Sequence, residues 1–255
     1  MDVIIVSKTH MSNASCVGGV LENGRNVRLL NKQGYNQDID TPLNVGDIYT
    51  ITFQERGEKK PPHIEDILVS TMRFKSSFTS INRLVGYLIE NLKIKIWRGS
   101  SETLFDTKLM WTSSGSGYIS HSGGIPTSSV GFWVPDKNLT RKDYEGKVRY
   151  SYPPSQYFKM VDGLGEMSGR RAWRNISFVG FQAPVDTIPA GTLVRVSLAR
   201  WWSADEQTEK RCYLQISGWY GMVGDAPESD KRLVSDSDIV PDNIQEDLDG
   251  LSDLP

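Results

Sequence analysis

Cationic and aromatic side chains are interleaved in four segments of the sequence, "IKIWRG", "SGRRAWRN", "LARWW" and "KRCYLQISGWYG". Flat rings stack on the bases of single-stranded DNA or RNA at about 1–3 kcal/mol per base, while Arg and Lys neutralise the phosphates. The alternative is a structural role, because tryptophans of small β domains usually fill the core and a neighbouring arginine often stacks on the ring. The candidate residues for nucleic-acid contacts are Lys95, Trp97, Arg98, Arg170, Arg171, Trp173, Arg174, Arg200, Trp202, Arg211 and Trp219.

Two local patterns indicate which of these side chains reach solvent. Trp201 and Trp202 are adjacent, so an extended backbone sends their rings to opposite faces, and a core can take only one of them. We expect the other ring, beside Arg200, to be a stacking platform. The segment 168–175, "SGRRAWRN", carries three arginines within five residues. They form either a solvated loop or a loop that contacts phosphates.

Catalytic and metal-binding patterns are sparse. The histidines His10, His63 and His121 are far apart, and the sequence has neither an H-E-x-x-H motif nor a phosphate-binding glycine loop. The segment "PPHIEDILV" places His63 near Glu65 and Asp66, which could belong to a metal or acid–base site. Alternatively, this is a turn whose polar side chains bond to nearby backbone amides. We therefore expect a protein that is not an enzyme and has no cofactor.

Charge is distributed unevenly along the chain. Residues 223–255 contain ten carboxylates and two cations, a net charge of −8. Because the whole chain has a net charge of −2, residues 1–222 carry +6. The tail has few large apolar residues, a composition that predicts disorder. It either imitates the charge of a polyphosphate or recruits a basic partner.

The composition indicates a globular protein in a reducing compartment. Apolar residues make up 38% of the chain, which is enough for a packed core, and no apolar stretch is long enough to cross a bilayer. The opening "MDVIIVSKTH" lacks the features of a signal peptide and predicts a first strand. Only Cys16 and Cys212 occur, so we expect two unpaired core thiols. We expect a cytoplasmic protein without a membrane partner.

Short strands separated by polar turns predict a mostly β fold of small barrels or sandwiches. "ENGRN" is typical of a hairpin turn, and Gly18 and Gly19 predict a bulge or a sharp bend within a strand. The helical spacing of apolar residues over 78–96 predicts one helix, with Thr79 or Ser80 as its N-cap. We divide the chain into a first barrel (1–77), a helix with a Ser/Gly-rich connector (78–129), a second barrel (130–222) and the acidic tail (223–255).

Five segments occur in an order that resembles a known family. They are "CVGGVLENGRNVRLL", "GDIYTI", "PPHIEDILV", "VGFWVP" and "RVSLARWW…RCYLQISGWYG". Together they make residues 1 to about 222 similar to the dual OB-domain family of bacterial proteins. This resemblance implies two OB-like Greek-key barrels joined by a helix and loops. It also implies a setting in bacterial conflict and antiviral defence, alone or beside helicase or nuclease modules.

Two functions are compatible with this resemblance. OB barrels bind oligonucleotides on one face between two loops, but they also dock proteins. The first hypothesis is a non-catalytic accessory protein that binds single-stranded nucleic acid, with a tail that modulates binding or recruits a helicase, nuclease or other defence-complex protein. The second hypothesis is a protein–protein scaffold or adaptor of such a complex, in which the aromatic residues belong to the core.

Overall fold

A computed structural model describes residues 1–153 and 173–223 together with the short strand at 239–241. The strands are β1 (Asp2–Met11), β2 (Ala14–Leu21), β3 (Asn26–Asn31), β4 (Gln37–Asp38), β5 (Asp47–Glu55), β6 (Asp66–Phe78), β7 (Ile96–Gly99), β8 (Met110–Trp111), β9 (Gly117–Ser120), β10 (Val130–Pro135), β11 (Leu139–Arg141), β12 (Arg149–Tyr152), β13 (Arg174–Phe178), β14 (Thr187–Ile188), β15 (Thr192–Leu198), β16 (Arg211–Met222) and β17 (Ile239–Pro241). Helical residues form α1 (Ile81–Gly86), a π-helical turn (Tyr87–Asn91) and a 3-10 segment (Ser101–Thr107). The fold is mostly β, as predicted.

Five strands of the N-terminal part close into a barrel. Their order is β1-β5-β6-β3-β2, and a further pairing of β1 with β2 completes the circle. Neighbouring strands are antiparallel except β3 and β6, which are parallel. The predicted hairpin turn joins β2 to β3, where the amide of Leu21 donates to the carbonyl of Arg25. This closed five-stranded Greek-key order is that of an OB barrel, which confirms the predicted fold class.

The second sheet repeats this order with additions. Its main path is β14-β11-β12-β13-β16-β15-β10-β7, with β9 paired to β16 and β8 to β9. Only residues 136–138 separate β10 from β11, so these two strands together correspond to the first strand of the barrel. The order is then that of the first barrel, including one parallel pair, β13 with β16. Strands β7, β8 and β9 come from 78–129, so this segment is more than the predicted helix and connector.

The helix in the structure is shorter than the segment in which apolar residues have helical spacing. Its N-cap is Ser80, whose Oγ accepts a hydrogen bond from the amide of Arg83 at 3.3 Å. The π-helical turn ends at Asn91, and Lys93 then adopts a left-handed conformation with φ of +48°. That conformation redirects the chain into β7, so helical structure covers 81–91 rather than 78–96.

Apolar side chains form three clusters, one inside each barrel and one between them. The cluster between the barrels takes side chains from β1, β2 and β5, from α1 and its π-helical turn, and from β10 and β15. Its buried members are Ile4, Val6, Val20, Ile48, Leu84, Val85, Leu88, Ile94, Phe132, Val134 and Leu193. The helix therefore packs between the two barrels and helps to bury the surface that they share.

The glycine pair in β2 lies at a bulge, as predicted. The register between β1 and β2 shifts between Ile5 and Ser7, opposite Gly19 and Gly18. A Cβ atom on Gly18 would lie 2.4 Å from Ser7 Oγ and 3.3 Å from Arg195 Nη2. Because Arg195 belongs to β15, this glycine lets a side chain of the second sheet lie directly against the first barrel.

The turn before β6 carries buried carboxylates that join the two barrels. Asp66 Oδ2 accepts from Arg28 at 2.7 Å, from Arg56 at 3.0 Å and, across the interface, from Arg200 at 3.0 Å. The neighbouring Glu65 accepts from the amide and the hydroxyl of Ser129, both at 2.7 Å. The two adjacent carboxylates thus bind different partners, as expected for a turn whose side chains bond to nearby groups.

The same turn contacts the second barrel through His63 and a backbone carbonyl. His63 Nε2 lies 3.2 Å from the carbonyl oxygen of Leu198 and 3.1 Å from that of Ala199, so this nitrogen is the donor. Burial lowers the pKa of His63, which keeps the ring neutral. The indole Nε1 of Trp201 donates to the carbonyl of Pro61 at 2.9 Å. We name residues 61–66 the interbarrel turn.

Both cysteines are free thiols, as predicted. Cys212 is buried in the second barrel, where burial raises the pKa of its thiol to about 12. Cys16 is only partly buried, which differs from the expected core position. Its strand, β2, places it beside the space between the barrels rather than inside the first one.

One element of the acidic tail is described. β17 pairs antiparallel with residues 76–78 of β6, at an edge that β3 leaves free because β3 pairs only with residues 66–69. Residues 239–241 thus form a strand, and the disorder of the tail stays a prediction. The remaining tail residues, including its carboxylates, lie outside the described residues.

Substitution Asp66→Asn tests the interbarrel turn. It removes the charge that three arginines share, and the loss of one partner of a buried ion pair costs about 3–5 kcal/mol. We expect a lower midpoint in urea denaturation. The control is Asp143→Asn, in an exposed pair with Arg141 whose Nη2–Oδ2 distance is 2.6 Å, where we expect no measurable change. Equal midpoints for both variants would show that the turn contributes little.

Candidate nucleic-acid interface

The N-terminal half of β16 presents aromatic and cationic side chains to solvent. Arg211 and Tyr213 alternate with the buried Cys212, so they point away from the core. Tyr213 is the cross-strand partner of Tyr118 on β9. Trp202 exchanges two backbone hydrogen bonds with Arg211, at 3.0 and 2.8 Å. We name Tyr118, Trp202, Arg211 and Tyr213 the aromatic face.

The rings of the aromatic face are spaced along one surface. The centroids of Trp202 and Tyr213 are 6.2 Å apart, and those of Tyr118 and Tyr213 are 6.1 Å apart. The guanidinium of Arg211 lies 4.3 Å from the centroid of the Tyr118 ring. Trp202 is 57% exposed. A flat ligand can therefore reach the indole directly, next to a fixed positive charge.

Trp202 belongs to the loop between β15 and β16. In the order of the second barrel this is the loop between the fourth and fifth strands, one of the two loops that flank the ligand face of OB barrels. Two of the three carboxylates of this loop accept local hydrogen bonds. Asp205 accepts from the amides of Gln207 and Thr208, at 3.0 and 2.7 Å, and Glu209 accepts from the amide of Ser122 at 2.8 Å. These hydrogen bonds lower the pKa of both carboxyls.

The adjacent tryptophans are separated as the alternation predicts. The ring of Trp201 is partly buried, packs against the second core and stacks on His121 at a centroid distance of 4.3 Å. Trp202 points to solvent. The core therefore takes one ring of the pair, and the binding role of the other remains a prediction.

A second group of cations and rings lies near the loop between the first and second strands of this barrel. Lys142 Nζ is 5.2 Å from the ring centroid of Trp173, which is 47% exposed. The guanidinium of Arg149 is 5.0 Å from the ring of Tyr144. We name these four residues the loop cluster. It occupies the other of the two positions that flank an OB ligand face.

Two of the candidate tryptophans do not reach solvent. Trp97 and Trp219 are each 9% exposed and belong to the core of the second barrel. Trp97 packs 4.9 Å from Phe105, and Trp219 packs 4.9 Å from Phe178, between ring centroids. The expectation that these two rings stack on bases is therefore wrong, because both lie on the inner side of their strands.

The other candidates are distributed over several surfaces. Lys95 and Arg98 lie at β7, which β10 and β15 separate from β16. Arg200 is held by Asp66 in the interbarrel turn. Arg174 stacks on Trp111 at 4.4 Å and pairs with Glu102 at 3.6 Å. Only Trp202 and Arg211 of the candidates meet on the aromatic face; Arg170 and Arg171 lie outside the described residues.

Two residues of the aromatic face were not among the candidates. The alternation in "RCYLQ" does place Tyr213 on the same side as Arg211, and this signal could have identified it. Tyr118 lies in a Ser/Gly-rich segment interpreted as a connector, and only its pairing with β16 brings it to the site. Cross-strand pairing between distant segments has no local sequence signal.

Possible metal ligands do not cluster within the described ranges. Within them, no group of three His, Cys, Asp or Glu side chains is arranged to hold a metal ion. The carboxylates of the interbarrel turn instead bind arginines and Ser129. No helix among these residues has the length and apolarity needed to cross a membrane.

The two classes of tryptophan should respond differently to truncation. Trp219→Ala removes a core ring and should cost about 3–5 kcal/mol of unfolding free energy. Trp202→Ala removes an exposed ring and should change it by no more than about 0.5 kcal/mol. Urea denaturation followed by circular dichroism measures both. A large loss in Trp202→Ala would assign this ring to packing and remove it from the interface.

Comparison with known proteins agrees with this architecture. A family model described as a dual OB-containing domain matches residues 1–219. Searches of curated proteins and of solved structures gave no match. The matched range contains both barrels, the interbarrel turn and the whole aromatic face. The chain therefore belongs to the family of dual OB-containing domains.

Proposed function

We propose that the second barrel binds single-stranded nucleic acid at its aromatic face, and that the protein acts without catalysis. The observation that carries the proposal is the exposed Trp202, 57% accessible and beside Arg211, on a loop that flanks the ligand face of an OB barrel. OB barrels bind single strands by combining such rings with cations. The net charge of +6 on residues 1–222 favours a polyanion as the ligand.

The spacing of the rings favours single strands over duplexes. Neighbouring centroids lie 6.1 and 6.2 Å apart, so consecutive rings can each stack on a base of an extended strand. The bases of a duplex already stack on each other and offer no free faces. Arg211 can neutralise a phosphate between the stacked bases.

The first barrel does not offer an equivalent surface. Strands β1, β2 and β3 form the corresponding side of that barrel, and they face β15 and β16 across the interface. Arg195 of β15 donates to Asn26 of β3 at 2.8 Å. The second barrel thus covers this side of the first barrel, and a long single strand of nucleic acid cannot lie along it.

Binding can be tested on the full chain by fluorescence anisotropy with short labelled single strands and the matching duplex. We expect tighter binding of single strands and an affinity that falls steeply with salt. Trp202→Ala should weaken binding about tenfold through the loss of one stacked base. Arg211→Gln should reduce the slope of log affinity against log salt by about one.

The matched control for Trp202→Ala is Tyr35→Ala, because Tyr35 is 70% exposed but lies on the first barrel. This variant should bind as the unchanged protein does. Absent or salt-independent binding, or equal losses in the two variants, would contradict the proposal. Such a result would favour the scaffold hypothesis instead.

We extend the proposal to the acidic tail, which would compete with nucleic acid for the basic body or recruit a basic partner. Five carboxylates follow β17 in the sequence, namely Asp242, Glu246, Asp247, Asp249 and Asp253. Replacing all five by amides should tighten binding of single strands in the same anisotropy assay, most at low salt. An unchanged affinity would exclude competition by these carboxylates and leave binding at the aromatic face unaffected.

The cellular setting of this binding is also a proposal. We assign the protein to a cytoplasmic defence complex of bacteria, in which a helicase or nuclease acts on the strand that the second barrel holds. The support is the family resemblance, which implies a setting beside such modules. An OB barrel that holds a strand for a neighbouring enzyme needs no catalytic residues of its own.

A further inference from the structure

A cavity separates the two barrels beside the interbarrel turn. Strands β1, β2 and β3 form one wall, and β15 and β16 form the other. The cavity has a volume of about 90 Å³ and opens to solvent on one side. Three arginines from different parts of the chain line it, namely Arg28, Arg195 and Arg200. None of the residues of the aromatic face lies in its walls.

Arg195 is a buried cation without an ion pair among the described residues. Its side chain is fully enclosed, at 1% exposure. Nη1 donates to Asn26 Oδ1 at 2.8 Å, and the guanidinium lies 4.8 Å from the ring centroid of Phe132. A guanidinium has five N–H donors, so most of them are not used by these contacts. A buried charge is costly unless a counter-charge and hydrogen bonds compensate it.

The nearby carboxylates do not balance the arginines. Asp66 already serves Arg28, Arg56 and Arg200 through one oxygen. Glu65 faces the same cavity, but both of its oxygens accept hydrogen bonds from Ser129. Four guanidiniums, including that of Arg195, thus meet two carboxylates. The surroundings of the cavity therefore carry a surplus of two positive charges.

Two polar atoms in the cavity wall are buried without a hydrogen-bond partner among the described residues. They are Nε of Arg28, a donor, and Nδ1 of His63. His63 is 5% exposed, and its Nε2 donates to carbonyls of the second barrel, so Nδ1 can only accept. These two atoms have almost no accessible surface, so they mark unmet hydrogen bonds in the wall, whereas Arg195 and Arg200 supply the surplus donors that line the cavity.

We propose that this cavity binds a phosphate group, either as the free anion or as the terminal group of a small molecule. A phosphate group has three acceptor oxygens, which match the unused N–H donors of converging guanidiniums. The cavity has room for several water molecules, and therefore for a phosphate group. Both barrels contribute to the walls, so the bound ligand holds them together.

Thermal unfolding of the full chain tests this site with inorganic phosphate, AMP, adenosine and chloride at matched ionic strength. AMP or phosphate should raise Tm by about 3–6 °C at ten times its Kd, while adenosine and chloride should not. A shift with phosphate alone would identify the ligand as a free anion. A larger shift with AMP would identify it as a nucleotide.

Three variants test whether the shift in Tm arises from binding in this cavity. Arg195→Met removes the unpaired charge and should abolish the shift without lowering Tm in chloride. Arg200→Gln changes a partly exposed arginine at the cavity and should reduce the shift, so it decides the question if Arg195→Met does not fold. Arg211→Gln, on the aromatic face, should keep the full shift.

The outcomes separate this site from the nucleic-acid interface. The inference is overturned if neither phosphate nor AMP stabilises the protein beyond chloride. It is also overturned if the folded Arg195→Met variant keeps the shift, or if Arg211→Gln abolishes it. The first two results leave binding of single strands at the aromatic face untouched, whereas loss of the shift in Arg211→Gln would place the phosphate-bearing ligand at that face.

Discussion

The position of the two barrels depends on a buried carboxylate that both of them share. Apolar contact between the barrels excludes water but has no preferred direction. The charge-assisted hydrogen bonds of Asp66 to Arg28 and Arg200 are directional, and they fix how the second barrel lies on the first. Contacts of Glu65 and His63 along the same turn reinforce this arrangement.

This arrangement assigns different roles to two barrels of the same topology. The first barrel turns its ligand side toward its neighbour, and what remains there is a small cationic cavity. The second barrel keeps the rings of Trp202 and Trp173 exposed. In the two proposals, a polymer binds at the second surface and a phosphate group binds in the cavity, so burial rather than residue type separates the two kinds of binding.

The sequence was sufficient to predict the strands of the first barrel, but not the short strands β7, β8 and β9 that extend the second sheet. Alternating runs, the "ENGRN" turn and the glycine pair located β1, β2 and β3, because these signals act between neighbouring residues. β7, β8 and β9 are short, and β7 and β9 are strands only because the distant strands β10 and β16 pair with them, while β8 pairs with β9 alone. Long-range pairing of this kind has no local pattern.

The same limit applied to the site. Trp97, Trp202 and Trp219 have similar sequence neighbours, yet only Trp202 is exposed. Which ring faces the core depends on the register of its strand, and register is set by the sheet as a whole. The interbarrel turn was recognisable as polar, but its partners Ser129 and Arg200 come from far along the chain.

The place of β16 in the second sheet has a consequence for synthesis of the protein. The first barrel is complete once β6 has emerged from the ribosome, whereas β16, which pairs with β9, β13 and β15, is the last strand of the second sheet to be made. N-terminal units generally fold first during translation. The earlier strands of the second barrel therefore stay unpaired until β16 has been made. The folded first barrel, with its charged turn, gives them a surface on which to assemble before their free edges can aggregate.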